Sequence, residues 1–334
     1  MELEQALQAL AENQQLSDAD LAGVDLSGRD LSGCTLVNVN LAGANLSGTQ
    51  LGGAYLQNIN LQGAQLTGVQ AAEATFTDID FSAAQFQQAN LLQAAFSNCK
   101  FDGASFVGAQ LVRCDMHDVS LKDVDFSGAN LTRWTAMDAD LSTVRLAGAL
   151  MEQAYLKGSM LGGQSFAGCN LTMTMFVGAQ LQKADFSGAL LDRTSFMGAQ
   201  MQEANLSGTR GIYLCFIDAQ LQKANLTGVA YDSSDATNAD FAGAQATGAS
   251  WHMSVMHKAS WQTAQLKNSK WVYCDLAHAD FSDADCSGAD LAGASIHAMQ
   301  QKNTRWDGAN FDGVRPTDPA LERAEQWQPK AAAR

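Results

Sequence analysis

Large apolar residues recur every five positions, without insertion or deletion, from Leu16 to Phe311. The series opens Leu16, Leu21, Leu26, Leu31, Leu36 and passes into phenylalanine at Phe76, Phe81 and Phe86; sixty pentads result. A period of five matches neither the 3.6-residue repeat of an amphipathic helix nor the alternation of an ordinary strand. Two residues before each large side chain sits a small one, as at Ala19, Ala44, Ala54 and Ala64, and between them Asp or Asn is frequent, as at Asp20, Asp25 and Asn40. Gly often stands two residues after the large one, as at Gly23, Gly28 and Gly33. One small and one large residue per pentad therefore point inward, and three face water. Asp, Asn, Ser and Gly suit tight corners, because they supply turn hydrogen bonds or accept positive φ.

A second period, of twenty, lies over the first. The segments VGAQLQKADFSG (177–188), MGAQMQEANLSG (197–208) and IDAQLQKANLTG (217–228) are near copies, and the triplet Phe76, Phe81, Phe86 recurs as Phe96, Phe101, Phe106. Both periods follow if four pentads make one coil, one on each side of a square tube, with successive coils hydrogen-bonded ~4.8 Å apart. The chain thus reads as an all-β solenoid of about 15 coils, the sixty pentads taken four at a time. The expected layout is an N-terminal capping helix in 1–15, the repeat region over 16–315, and a C-terminal capping helix with a tail in 316–334. Caps are needed because the ends of a solenoid expose unpaired strand edges. Leu3, Ala6, Leu7 and Leu10 have helical spacing, and Asp318-Pro319 suits the N-cap and first turn of a helix through ALERAEQW.

Departures from the repeat are informative. Trp134 stands where nearly every coil has a small residue, and the central residue of its pentad is the small Ala136, which reads as a volume swap that keeps core density. Tyr231, Trp251 and Trp271 are central residues twenty apart and are expected to stack as core filler, since a cofactor site needs convergent polar groups beside the rings. Cys34, Cys99, Cys114, Cys169, Cys274 and Cys286 fall at inward positions, while Cys215 should face out. Cys34, Cys114 and Cys274 share a column, but the nearest two are four coils apart, roughly 19 Å, too far for a disulfide, which needs Cα atoms within ~7 Å.

Net charge is −15 and pI about 4.5, yet charged residues make up only 16% of the chain, against a typical ~25%. The acidity reflects few bases. Up to residue 100, ten acids face only Arg29 and Lys100. Such a chain disfavours direct contact with nucleic-acid phosphates or anionic lipid and attracts a basic partner. The acidic N-terminus has no apolar h-region, so no signal peptide is expected, and no apolar run approaches the ~20 residues of a membrane helix. Seven cysteines, an odd number, argue against a disulfide framework, and the expected location is cytoplasmic.

No phosphate loop, dinucleotide glycine motif, G-x-S-x-G or metal-ligand spacing occurs, so no enzyme, catalytic residue, cofactor or metal is expected. His257, His278 and His297 fold onto one side of three successive coils near Asp275, where a metal could bridge neighbours; without groups to orient the rings they read as exposed histidines. The outer surface offers more. Met137, Tyr155, Met175, Val177, Met197, Cys215 and Ile217 stand at outward positions, and neighbouring sides add Leu150, Leu190, Ile212 and Tyr213, where other coils carry Gln, Ser, Asn, Gly and Asp. An exposed apolar strip marks a partner surface, and methionine suits an adaptable one. Residues 135–220 are therefore the expected docking face for another protein.

The unbroken motif A-[DN]-L-x-x resembles the pentapeptide-repeat family over about nine-tenths of the chain. The resemblance implies a right-handed quadrilateral β-helix. In some members the C-terminal end forms a homodimer, a use open here to Trp306, Phe311 and Trp327, although capping accounts for them equally. Similar repeats occur beside or fused to accessory proteins of bacterial type VI secretion, and KWVYCDLAHADFSDADCSGADL (270–291) looks like that group. The reading that follows is a non-enzymatic adaptor, an accessory in effector loading. The alternative is DNA mimicry, since several members resemble a duplex and bind DNA gyrase. The negative charge fits it. Sparse acidic columns, such as Asp20, Asn40, Asn60, Asp80 and Lys100, and the lack of the loop insertions found in quinolone-protecting members, fit it less well.

Overall fold

The fold comes from a computed structural model that describes residues 3–327. The first two residues of the expected N-terminal cap and residues 328–334 of the expected C-terminal tail lie outside the described residues.

Each pentad builds one side of a coil and one corner. The carbonyl of the large inward residue accepts a hydrogen bond from the N–H three residues on, as from Ala44 to Leu41 at 3.0 Å. The residue between, two after the large one, takes a positive φ of 50° to 72° along the chain, which is where Gly recurs. The Asp or Asn before the large residue caps the turn. Asp25 Oδ1 accepts from Ser27 N–H at 3.0 Å, and Asp125 Oδ1 from Ser127 N–H at 2.9 Å. The side-chain chemistry read from the repeat is thus present atom by atom.

The chain divides into two compact units, Met1–Ser195 and Phe196–Arg334. The first opens with helix α1 (Leu3–Asn13), which buries Ala6 and Leu10. Gln14 N–H then bonds Leu10 O at 2.9 Å, and Gln14 turns at φ 53° into the first strand. Strands β1 (Gln15–Ser17), β2 (Thr35–Val37), β3 (Tyr55–Gln57), β4 (Thr75–Thr77), β5 (Ala95–Ser97) and β6 (Asp115–His117) pair in sequence order, all parallel. The register is Leu16↔Leu36↔Leu56↔Phe76, an offset of twenty. The other three sides pair with the same offset, as in Asp20↔Asn40, Asp25↔Asn45 and Asp30↔Gln50. A parallel pair ordinarily needs a long crossover; here the remaining three sides of the coil are the crossover.

This register superposes like on like in the core. Phe76 stacks on Phe96 at 4.7 Å, Phe81 on Phe101 at 5.0 Å and Phe86 on Phe106 at 4.6 Å, all parallel within 8°. Each such ring, withdrawn from water, contributes about 1.5–3 kcal/mol. Trp134 and Ala136 are both fully buried, and the Trp134 ring lies 5.4 Å from that of Phe126.

The second unit carries β7 (Arg210–Ile212), β8 (Ala230–Asp232) and β9 (Ser250–His252), again parallel, with Gly211↔Tyr231↔Trp251 in register. Trp251 and Trp271 lie parallel within 4° at 6.3 Å, and Trp261 stacks on Phe241 at 4.0 Å. The expected aromatic ladder fails at its first step: Tyr231 meets Trp251 edge to face, at 4.8 Å and 75°. The rung before Tyr231 is Gly211, which offers no ring to stack on, and the Tyr231 hydroxyl is hydrogen-bonded to Thr209 Oγ1. The solenoid makes about 12 turns, slightly fewer than the expected 15.

All seven cysteines are free; five are buried, while Cys169 and Cys215 are half-buried. Helix α2 (Pro319–Glu325) starts as its sequence implies, with Asp318 Oδ1 accepting from Ala320 N–H at 2.8 Å and Leu321 N–H at 3.3 Å. None of its residues is buried. Phe311, a central residue of the last coil, stays 40% exposed, whereas Phe281 in the same unit is fully covered.

Candidate partner-binding surface

In the first unit, Tyr155 and Met175 are successive rungs of one ladder, Thr135↔Tyr155↔Met175↔Ser195. Their backbones are tied to the core, Tyr155 N–H to Trp134 O at 2.8 Å and Met175 N–H to Ala154 O at 2.9 Å. Rigid backbone thus presents them outward: Met175 is 41% exposed and Tyr155 half-buried. Val177 and Met137 follow the inward Phe176 and Ala136 and are half-buried, with Lys157 at the intervening position. Leu150 and Leu190 are exposed, and so are Met160 and Met173, which the pattern of the strip did not single out.

In the second unit, Met197 is exposed beside the inward Phe196, whose ring stacks on Phe216 at 5.2 Å. Ile217 stands one coil on, its carbonyl accepting from Gly198 N–H at 2.8 Å, and is half-buried. Tyr213 and Ile212 are exposed, and Cys215 is half-buried. Two further exposed residues were not anticipated, Met253 and Tyr273. Both occupy corner positions twenty apart, in the phase of Tyr213 but beyond the expected docking face of residues 135–220.

The histidines divide. His257 Nε2 pairs with Asp275 at 2.7 Å. His278 and His297 converge instead on Glu325 of α2, at 3.2 and 3.1 Å, and the three ligand-type atoms lie within 4.8 Å of one another. His297 is buried, and its Nδ1 accepts the Asp318 N–H at 3.1 Å. That bond places the proton of a neutral ring on Nε2, which donates it to Glu325. A metal on Nε2 requires the opposite tautomer, with two N–H groups facing each other, and metal-bound histidines ordinarily donate from the second nitrogen. The donor set therefore fits a clasp holding α2 better than a metal. The His297 hydrogen bond, with that of His278 after it, holds the Glu325 carboxyl below the usual glutamate range.

The carboxylates are spread out. The ladder Asp20↔Asn40↔Asn60↔Asp80↔Lys100 in the first unit and Asp240↔Ser260↔Asp280 in the second put at most every second coil in charge. That spacing along one ladder is about 9.6 Å, against one charge per about 3.4 Å along one strand of duplex DNA. Cations also sit among them: Arg145 lies 3.1 Å from Asp125, and Asp285 has Lys267 at 3.4 Å and Arg305 at 3.3 Å. Among the described residues no helix is long and apolar enough to cross a membrane.

Comparison with known proteins gives the following. A model for pentapeptide repeats in eight copies matches residues 15–53, 44–82, 175–210, 215–250 and 263–297, and a second model, pentapeptide repeat region, matches 72–156. A search of curated proteins returned no match. Among solved structures, a trypsin-treated variant of QnrB1, a plasmid-mediated fluoroquinolone resistance protein, is 18% identical over 59% of this chain and 91% of its own, with TM-score 0.34. HetL, a pentapeptide repeat protein involved in heterocyst differentiation regulation in the cyanobacterium Nostoc sp. strain PCC 7120, is 18% identical over 94% of this chain and 96% of its own, with TM-score 0.22. Rfr23 from the cyanobacterium Cyanothece 51142 is 19% identical over 47% of this chain and 98% of its own, with TM-score 0.21. With five-residue turns, a twenty-residue register and family models that together match more than half its length, this chain belongs to the pentapeptide-repeat family.

Proposed function

We propose that the chain is a non-enzymatic adaptor that binds another protein through its outward apolar residues, Met137, Tyr155, Met175 and Val177 in the first unit and Met197, Tyr213 and Ile217 in the second. The observation that carries this reading is Met175, 41% exposed on a backbone pinned to the core, in ladder with Tyr155 between the polar rungs Thr135 and Ser195. Methionine in such a place gains nothing from water and suits a partner that repacks against it. The other recurrent groups already have structural employment: inward residues fill the core, and many outward carboxylates accept turn hydrogen bonds. The likeness of residues 270–291 to repeats found with type VI secretion accessories points to effector loading as the setting. The open last coil, with Trp306 half-buried and Phe311 exposed, is a surface for a second copy of the chain.

A gyrase-binding DNA mimic is the alternative, favoured by the net charge of −15 and weakened by the spacing of its carboxylates. Purified protein used as bait in native lysate, with Met175→Asp/Met197→Asp alongside, separates the two. The adaptor reading expects secretion components or an effector, lost with the variant. Gyrase subunits recovered equally by both baits, with supercoiling inhibited by the free protein, would establish the mimic instead.

A further inference from the structure

Among the described residues, left-handed corners hold Gly, small residues, or polar ones such as Asn, Asp, Lys and Arg, with four exceptions: Met173, Tyr213, Met253 and Tyr273. All four occupy one phase of the twenty-residue period, since they differ by multiples of twenty. Three belong to the second unit. There Tyr213 has φ 57°, Met253 φ 50° and Tyr273 φ 58°. The coils are joined at this corner by Tyr213 N–H to Asp232 O at 2.9 Å, Ser233 N–H to His252 O at 2.8 Å and Met253 N–H to Val272 O at 3.0 Å. Tyr213, Ser233, Met253 and Tyr273 therefore form one edge of consecutive coils.

Two physical terms oppose these residues. Positive φ is unfavourable for bulky side chains, and at 57% exposed for Tyr213 and Met253 and 62% for Tyr273 the burial that would offset it is incomplete. Gly, which the same corner has at Gly293 and Gly313, carries neither cost. Strain held at an exposed edge, repeated in register, marks a surface completed by something else.

The flanks of the edge state the partner's chemistry. On the side before it stand Ile212, Asp232, His252 and Val272; on the side after it, Cys215, Asp235, Val255 and Asp275. Neither row holds Lys or Arg. Asp232 is also held ionised, first by the hydroxyl of Ser233 and then by His252. An apolar edge flanked by three carboxylates repels an acidic partner and complements a cationic one. We infer that the corner edge Tyr213–Met253–Tyr273 is a docking site for a protein segment that alternates apolar side chains with Lys or Arg. The inference rests on the adaptor reading and adds the chemistry of the partner at the second unit.

The test uses the full chain and two labelled peptides, one alternating Leu and Lys, the other Leu and Glu, read by fluorescence anisotropy. The Leu/Lys peptide is expected to bind. The variant Tyr213→Asn/Met253→Asn/Tyr273→Asn should weaken it about tenfold or more, the effect of losing anchors at an interface. Asn is at home in a left-handed corner, so this variant should keep its circular dichroism and melting temperature. Asp232→Asn/Asp235→Asn/Asp275→Asn should weaken binding and flatten its salt dependence. The inference is overturned if the Leu/Lys peptide does not bind, if the Asn corner variant binds it equally, or if the Leu/Glu peptide binds as tightly. Such a failure, with a lysate partner still captured through Met175 and Met197, leaves the adaptor reading standing; peptide binding intact with no partner captured through Met175 and Met197 does the reverse.

Discussion

The ring of Tyr273 lies across the backbone of Gly293, one coil further on: a Cβ built on Gly293 would fall 2.5 Å from ring atoms Cδ1 and Cε1. Gly293 is required by its φ of +69°, and its missing Cβ leaves the space that the Tyr273 ring occupies. Gly128, at φ +66° with nothing within 4 Å of a built Cβ, has only the φ requirement.

Gly128→Ala is expected to cost about 1–2 kcal/mol from conformation alone. Gly293→Ala should cost a similar amount, because the exposed Tyr273 ring can swing away, but it should displace that ring. Denaturant melts check the energies, and loss of NOEs between the Tyr273 ring and residue 293 checks the displacement.

The exchange of volume at Trp134 and Ala136 predicts strong coupling. Trp134→Ala should cost about 3–5 kcal/mol by leaving a cavity, and Ala136→Phe about 1–3 kcal/mol by overpacking. The double variant should recover part of the sum, as the volume swap read from the sequence requires, with an interaction energy of about 1 kcal/mol or more in a double-mutant cycle.

Glu325 gives the attachment of α2 a pH dependence of definite sign. Its carboxyl, held below the ordinary value of 4.5 chiefly by the His297 hydrogen bond, favours the docked helix in its charged form. The contribution is complete above that value and is lost as pH falls through the lowered one. Protection of the amides of residues 320–325, measured against their intrinsic exchange at each pH, should fall below about pH 4.5, and Glu325→Gln should remove that fall. The same exchange rates in both proteins across that range would contradict the clasp.

Much of this was legible in the sequence because a solenoid turns position in sequence directly into position in a column. The five-residue step named the inward residues, the twenty-residue step paired Phe81 with Phe101, and Asp318 announced its helix. Tyr231 was misjudged because register sets which rings meet but not how they rotate; that was decided by Gly211 before it and Thr209 beside it. The clasp was hidden because nothing periodic fixes where α2 lies, so Glu325 was not connected with His278 and His297. Met253 and Tyr273 were readable in principle, as apolar residues at the phase where Gly belongs. Of the strip residues, Met175, Met197 and Tyr213 are exposed, while Met137, Tyr155, Val177 and Ile217 are only half so, since a rung's side chains lean on the coils to either side.

Thiol reactivity should follow burial. Desolvation pushes Cys34 up to about 11 and Cys99, Cys274 and Cys286 up to about 12, and Cys114 upward as well. Thiolates are the reactive form, so at pH 8 iodoacetamide should leave these five unmodified in the native protein and label them on unfolding, with half-buried Cys215 labelled first. Peptide mass mapping over time reads the order.

The adaptor account is tested most directly by hydrogen–deuterium exchange on the complex with whichever protein the bait recovers. It predicts protection on binding at Tyr155–Val177 and Met197–Ile217, with the acidic stretch Asp18–Asn98 unchanged. Protection confined to Asp18–Asn98, with the apolar positions exchanging as in the free chain, would contradict it.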